Sequence, residues 1–324
     1  MIPRPSSLHQ LFTSDSDEVE SQHTGLVNLG NTCYANAVLS CLAFLPDEIW
    51  VYLKKYLFIT HECHNGKYFL YYLENIRTYR NNALVRFDTA IPYMLDKMSF
   101  AFKTQHDATE FLNKLYDNNI QESILTNLFK IETCVRKHCA TCFQQVGSSY
   151  ENVISNILDI TLNETQSCEL QGLINQRPLE LRPDYKCNNC NKKGTSYFQY
   201  LRQKLPPLLT VRLMRYAFNN ETKTASKNVV KVGYEEKLNV DYKVNENSDI
   251  AVKNYNLVSF ICHKGQSLNT GHYISYVKKD DVWFEYDDSK KTGPLRFDQI
   301  DKTNTFLLFY SRDIEMSEQG IKNT

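Results

Sequence analysis

The stretch Gly25-Leu-Val-Asn28-Leu-Gly-Asn31-Thr32-Cys33-Tyr34-Ala-Asn36-Ala37 carries a polar, glycine-containing loop into a helix and leaves one thiol at the junction. Beyond it, Ala35, Val38, Leu39 and Leu42 fall at i, i+3, i+4 and i+7, the apolar stripe of an amphipathic helix. Asn31 and Thr32 are the N-cap candidates. A thiol in the first turn faces unpaired backbone N–H groups and the positive end of the helix dipole. Both favour thiolate, the nucleophilic form. The ordinary fate of a free cysteine is burial as a small hydrophobe, and Cys41, Cys63, Cys168 and Cys262 read that way. Cys33 stands apart because polar residues precede it, so it reads as an accessible thiol.

A nucleophile needs a base, and the sequence offers one far downstream. His272 opens a β-type run, His272-Tyr-Ile-Ser-Tyr-Val277, after Gly271. Val282-Trp-Phe-Glu-Tyr286 reads as the returning strand, ending at Asp287-Asp288. A two-residue loop at Lys279 and Asp280 places His272 directly opposite Asp287, with Cβ atoms roughly 5 Å apart. That position suits a carboxylate that fixes one imidazole tautomer. Asp288 then points to the other face and is the second candidate acid. A lone strand histidine is usually a satisfied polar residue. Joined to an acid and to a thiol at a helix start, it reads as a Cys-His-Asp catalytic set.

The cysteines carry a second signal. Cys139-Ala-Thr-Cys142 and Cys187-Asn-Asn-Cys190 are paired Cys-x-x-Cys knuckles among ten cysteines. Such pairs read as a closed, tetrahedral zinc ribbon with four cysteine ligands, hence one structural Zn2+. The alternative is four unligated thiols. The long gap between the knuckles calls for a hairpin, and Asn152 to Leu162 reads as a strand within it.

The chain has 324 residues, 42% hydrophobic and 23% charged, enough for a large core. Its 37 basic and 37 acidic side chains give zero net charge, so no polyanion partner is implied. No apolar run is long enough to span a membrane, and no signal peptide is visible. The expected location is therefore cytoplasmic or nuclear, where thiols stay reduced. Residues 1–24 read as a mobile acidic, Ser-rich tail and 313–324 as a polar tail. Residues 25–118 read as mostly helical, with helices at Ala90–Met98 and Asp107–Tyr116. From about 129 onward short β-type runs dominate. A helical lobe bearing the thiol and a β lobe bearing His-Asp fit an α+β, papain-like architecture, with the site between the lobes.

These segments together resemble the signature boxes of the ubiquitin-specific protease family. The Cys33 stretch, Gly271-His272-Tyr273 and Tyr286-Asp287-Asp288 are three of them. Gln105-His-Asp107-Ala-Thr-Glu110-Phe111 is similar to the family's Gln-x-Asp-x-x-Glu-Phe helix start, and Leu205-Pro206 to Arg215-Tyr216 to its Leu-Pro…Arg-Phe strand, with Tyr216 for Phe. The boxes occur in family order and span Gly25 to about Arg312.

The resemblance implies a thumb (25–118), zinc-ribbon fingers (about 129–200) and a palm (about 201–312) in one catalytic domain, 25–312. It implies a thiol protease that cuts after the C-terminal glycine of ubiquitin. Asn28 then serves as the oxyanion-hole donor; without the resemblance it reads as an Asx-turn residue. Asp107, Glu110, Gln105, Gly271 and Tyr273 match the positions that hold the extended, cationic ubiquitin tail. For Asp107 and Glu110 the plainer role is that of acids at a helix N-terminus. His263 to Thr270 resembles a loop that shifts when ubiquitin binds. The implied partners are ubiquitin and its conjugates, with an activating adaptor left open. Two alternatives stand beside this: a non-catalytic ubiquitin-binding scaffold, and a deconjugase for another Gly-Gly modifier.

Overall fold

The seven residues Thr305–Ser311 are buried at every position. Successive strand side chains point to opposite faces, so a run buried throughout must be covered on both sides. Leu307 and Phe309 enter one apolar cluster, Leu308 and Tyr310 another. This strand therefore divides two cores.

The computed structural model describes residues 25–51, 73–74, 76–77, 90–119, 128–144, 151–162, 166–176, 179–219, 224–244, 248–267 and 270–313. The expected tail at 1–24, the one at 313–324 beyond Asp313, and the reading of Cys63 lie outside them. Among the described residues the chain begins with α1 (Cys33–Ala43), α2 (Ala90–Lys97) and α3 (Ala108–Asn119). Next come β1 (Ile131–Cys139), β2 (Glu151–Ser155), β3 (Leu158–Thr161), β4 (Cys168–Glu169) and α4 (Leu170–Ile174). They lead to β5 (Glu180–Arg182), β6 (Ser196–Lys204), β7 (Leu208–Met214), β8 (Tyr216–Asn219) and β9 (Thr224–Lys227). β10 (Val232–Gly233), β11 (Lys237–Tyr242), β12 (Ala251–Ser267) and β13 (Thr270–Lys279) follow. β14 (Val282–Asp287), β15 (Lys290–Leu295) and β16 (Thr305–Ser311) complete the fold.

Eight strands form the central sheet, in the order β15-β14-β13-β12-β16-β7-β3, with β11 also on β12. Its pairings are antiparallel except for β3 on β7. One face packs on the helices through Leu208, Ile261, Tyr273, Phe306, Leu307 and Phe309. The other is covered by Leu170 and Ile174 of α4 and by Val232 and Tyr234. A smaller sheet, β2-β1-β6-β5, carries the cysteine knuckles near its ends.

α1 differs from its expected form. All eleven of its residues are buried, including Asn36 and Ser40, so it is a core helix rather than an amphipathic one. Pro46, which cannot continue a helix, follows shortly after its end. α3 does keep its stripe: Ala108, Phe111, Leu112 and Leu115 are all buried. Each fully buried Leu or Phe contributes roughly 1.5–3 kcal/mol, so α1 and α3 are held mainly by this shared core.

The single strand expected from Asn152 to Leu162 is two. β2 pairs with β1 in the small sheet, and β3 pairs parallel with β7 in the central one. An apolar run specifies burial but not which sheet buries it. The segment between the knuckles is thus more than a hairpin: β3, β4 and α4 return to the main body before β5 rejoins the small sheet.

Candidate active site

Cys33 is the first residue of α1, and Thr32 occupies the N-cap position without a capping side-chain bond. The Thr32 hydroxyl instead accepts from Leu29 N at 3.0 Å. Asn28 organises the loop: its Oδ1 accepts from Gly30 N at 3.0 Å and Thr32 N at 3.1 Å. This is the Asx-type turn, and it leaves the amide nitrogen to donate to Asp288 Oδ2 at 2.9 Å. Asn31 sits in the left-handed region at φ 57° and donates from Nδ2 to Lys103 O at 2.9 Å. Cys33 is only 2% exposed, against the expectation of an accessible thiol.

His272 and Asp287 meet, though not as direct partners. The β13–β14 turn is Asp280-Asp281, with φ 51° and 62°, closed by the pair Lys279–Val282. Two left-handed residues give the turn twist that hairpins favour, and Asp tolerates that region. The expected loop was one residue earlier. Moving it slides each partner by two, which keeps side-chain parity. Asp287 becomes the diagonal neighbour of His272, still within reach. His272 Nε2 and Asp287 Oδ1 are 2.5 Å apart.

Asp288 does not point away as alternation implied. It lies in the β14–β15 turn with φ 50°, and this left-handed step ends the strand alternation. Its Oδ2 lies 3.9 Å from His272 Nε2 and accepts from Asn28 Nδ2 at 2.9 Å. Its Oδ1 accepts from Asn36 Nδ2 at 2.8 Å. Its backbone carbonyl accepts from Leu26 N at 2.9 Å, and Gly25 N donates to Ser289 O at 3.0 Å. A Cβ on Gly25 would lie 1.9 Å from that Asp288 oxygen, so only glycine fits. Asn36 and Gly25 escaped the sequence reading as site residues. A lone asparagine inside an apolar helix was the available signal.

The imidazole of His272 also bonds the Cys33 thiol. That hydrogen bond is the main cause that lifts the imidazole to about 9, against an opposing effect of burial and with help from Asp287 and Asp288. His272 is therefore a cation at neutral pH, paired with a sulfur on one side and carboxylates on the other.

Four of the five expected tail-binding positions lie around this centre in different ways. Gln105 sits against Cys33, with both carboxamide atoms 3.7 Å from its Sγ. Asp107 caps α3: its Oδ1 accepts from Thr109 N at 2.6 Å and Glu110 N at 3.0 Å. Burial raises the Asp107 carboxyl above its ordinary value despite those bonds. Glu110 is exposed, with Lys114 3.6 Å from its carboxylate. Gly271 has φ 151°, and a Cβ there would meet His263 Nε2 at 2.6 Å and Lys264 O at 2.7 Å. The crowding that demands glycine thus comes from β12 itself. Tyr273 is 1% exposed and stacked on His263 at 4.1 Å, so it packs within the core beside this centre. At the root of the 263–270 loop, Lys227 Nζ donates to His263 O at 2.9 Å and Gly265 O at 2.8 Å. Residues 268–269 of that loop lie outside the described residues.

The knuckle cysteines converge. Their four sulfurs lie within 4.8 Å of one another, and none is in a disulfide. Cys139 and Cys190 are 3.7 Å apart, Cys142 and Cys187 3.9 Å. Sulfurs around one tetrahedral ion at about 2.3 Å stand ~3.8 Å apart. Each knuckle turns through a left-handed residue just after its second cysteine, Phe143 at φ 55° and Asn191 at φ 58°. Thr141 N donates to Cys139 Sγ at 3.4 Å. This donor set fits a soft or borderline divalent ion.

Comparison with known proteins places this arrangement. The family model "Ubiquitin carboxyl-terminal hydrolase" matches residues 24–310. Ubiquitin carboxyl-terminal hydrolase 20 of Arabidopsis thaliana is 27% identical over 327 residues, covering 95% of this chain and 46% of the relative. Ubiquitin carboxyl-terminal hydrolase 42 of Homo sapiens is 26% identical over 344 residues, covering 96% of this chain and 25% of the relative. The chain thus spans less than half the length of either. Among solved structures, the SAGA Ubp8/Sgf11/Sus1/Sgf73 DUB module bound to ubiquitin aldehyde superposes with a TM-score of 0.68 at 20% identity, covering 93% of this chain and 72% of that one. With the family model spanning nearly all of the described fold, the chain belongs to the ubiquitin carboxyl-terminal hydrolase family, the ubiquitin-specific proteases, and has the α+β fold of their catalytic domains.

Proposed function

We propose that this chain is a thiol-dependent deubiquitinase that hydrolyses the bond after the C-terminal glycine of ubiquitin. The observation that carries the reading is the joining of Cys33, His272 and Asp287 at the meeting of α1 and the central sheet, with the His272–Asp287 contact at 2.5 Å. His272 Nε2 is committed to Asp287, so Nδ1 is the nitrogen that takes the Cys33 proton. The sulfur attacks the glycine carbonyl, and the imidazolium returns its proton to the departing amine. Water then enters, His272 takes its proton, and the thioester opens to free carboxylate. Asn28 Nδ2 and the Cys33 backbone N–H supply the oxyanion donors. Asp288 positions Asn28 and adds negative charge near His272.

Asp107 and Glu110 hold the arginines of the tail by charge-assisted hydrogen bonds, the capping bonds leaving the second Asp107 oxygen for that purpose. The knuckle cysteines hold one Zn2+, which closes the fingers and takes no part in the chemistry. A reduced compartment, cytoplasm or nucleus, suits a free catalytic thiol. The test is release of a fluorophore from the C-terminus of ubiquitin: turnover is expected, and its survival in Cys33→Ala would sink the assignment. A scaffold would bind ubiquitin with no turnover in the unmodified chain.

A further inference from the structure

We propose that Gln105 is a catalytic residue whose carboxamide holds the Cys33 sulfur in its reactive form, a role that rests on Cys33 being the nucleophile. Among the described residues its only hydrogen-bond partner is that sulfur, with Oε1 and Nε2 each 3.7 Å away. The equal distances have a chemical meaning. A thiol can donate to Oε1, whereas a thiolate can only accept and requires Nε2–H. One carboxamide can thus serve both states by rotating about its terminal torsion.

The segment that carries Gln105 is fixed on both sides. Behind it, Lys103 has φ 64° and its carbonyl accepts from Asn31 of the Cys33 loop at 2.9 Å. Ahead of it, the His106 ring packs edge-on against Phe100 at 4.9 Å and Tyr34 at 5.4 Å. His106 Nε2 also lies 3.2 Å from Ala101 O. Asp107 then caps α3. Gln105 is therefore held between two anchored neighbours with its amide turned to the nucleophile. Tail recognition needs no such contact with sulfur.

The proton balance is simple. His272 Nδ1 takes the Cys33 proton, and sulfur keeps the bonding pair. Gln105 Nε2–H donates to that pair without losing its proton. On attack the pair becomes the S–C bond and the hydrogen bond weakens. Loss of the donor leaves the thiolate one hydrogen bond short and raises the pH needed to form it.

The experiment measures alkylation of Cys33 by iodoacetamide from about pH 4 to 10, by peptide mass, in the unmodified chain, Gln105→Ala and Gln105→Glu. Steady-state kinetics on the ubiquitin–fluorophore substrate run alongside, and thermal melts confirm folding. The expected result is an alkylation midpoint raised by about one pH unit or more in Gln105→Glu, and by less in Gln105→Ala. The loss in activity falls mainly on kcat, roughly 10- to 100-fold, with KM within about twofold. Should Gln105→Glu not fold, Gln105→Ala carries the same test. An unmoved alkylation profile with a raised KM overturns the proposal and returns Gln105 to tail binding. Absence of any low-pH alkylation of Cys33 in the unmodified chain overturns the nucleophile reading instead, and this role with it.

Discussion

Asn28 Nδ2 donates to Asp288 Oδ2 at 2.9 Å, joining residues 260 positions apart in the chain. The bond ties the loop before Cys33 to the turn after the His-Asp hairpin. Asp288 accepts a second bond from Asn36 inside α1, so both of its oxygens are engaged. It acts as the rivet between the helical and sheet halves of the site.

Asp288→Asn follows directly. The new amide nitrogen must face one of two amide donors, and one bond is lost. Stranding the buried Asn36 amide would cost about 1–3 kcal/mol, so the bond to exposed Asn28 is the one given up, with little change in melting temperature. Asn28 loses its anchor, so kcat should fall roughly 10- to 100-fold through the oxyanion donor. Unchanged kcat would disconnect Asn28 from catalysis.

The pH profile follows from His272. Its value is raised from 6.5 to about 9, so it is protonated through neutral pH and loses its proton as pH rises through 9. The imidazolium must give a proton to the leaving amine, so kcat/KM should decline above about pH 9. Asp287→Asn removes one of the groups that raise this value, and the alkaline limb should move to lower pH. A limb that stays in place would separate His272 from the proton transfer.

Gly25→Ala tests the backbone contact. The added methyl would lie 1.9 Å from Asp288 O, a backbone atom that cannot rotate away. Overpacking of this kind typically costs about 1–3 kcal/mol. The variant should melt earlier and lose activity although no catalytic side chain changes. Wild-type kinetics would mean that the turn moves without consequence.

The knuckles should hold one zinc per chain by elemental analysis. Cys187 is fully buried, and Cys187→Ser removes one of four ligands. The expected outcome is loss of the metal and a lower melting temperature, reproduced by a strong chelator. Metal-free protein of unchanged stability would contradict the structural role.

The thiol at the start of α1 and the converging knuckles were legible because their signals are local. A thiol at a loop-to-helix junction and two Cys-x-x-Cys pairs declare themselves within a few residues. The helices at 90–97 and 108–119 were legible from periodicity, with ends within about three residues. What stayed hidden depended on backbone dihedrals or on partners distant in sequence. The hairpin register turned on Asp280 and Asp281 sharing the left-handed region. The direction of Asp288 turned on one positive φ. Tyr273 occupied a strand position that alternation alone could not assign to core or cleft. The run from Asn152 to Leu162 split because two sheets competed for it.

The most direct measurement is intact-mass analysis after incubation with ubiquitin bearing a C-terminal alkyne, beside the same warhead on other Gly-Gly modifiers. A single adduct with ubiquitin, absent in Cys33→Ala, is expected. No adduct on folded, metal-loaded protein, or one that persists without Cys33, would contradict it.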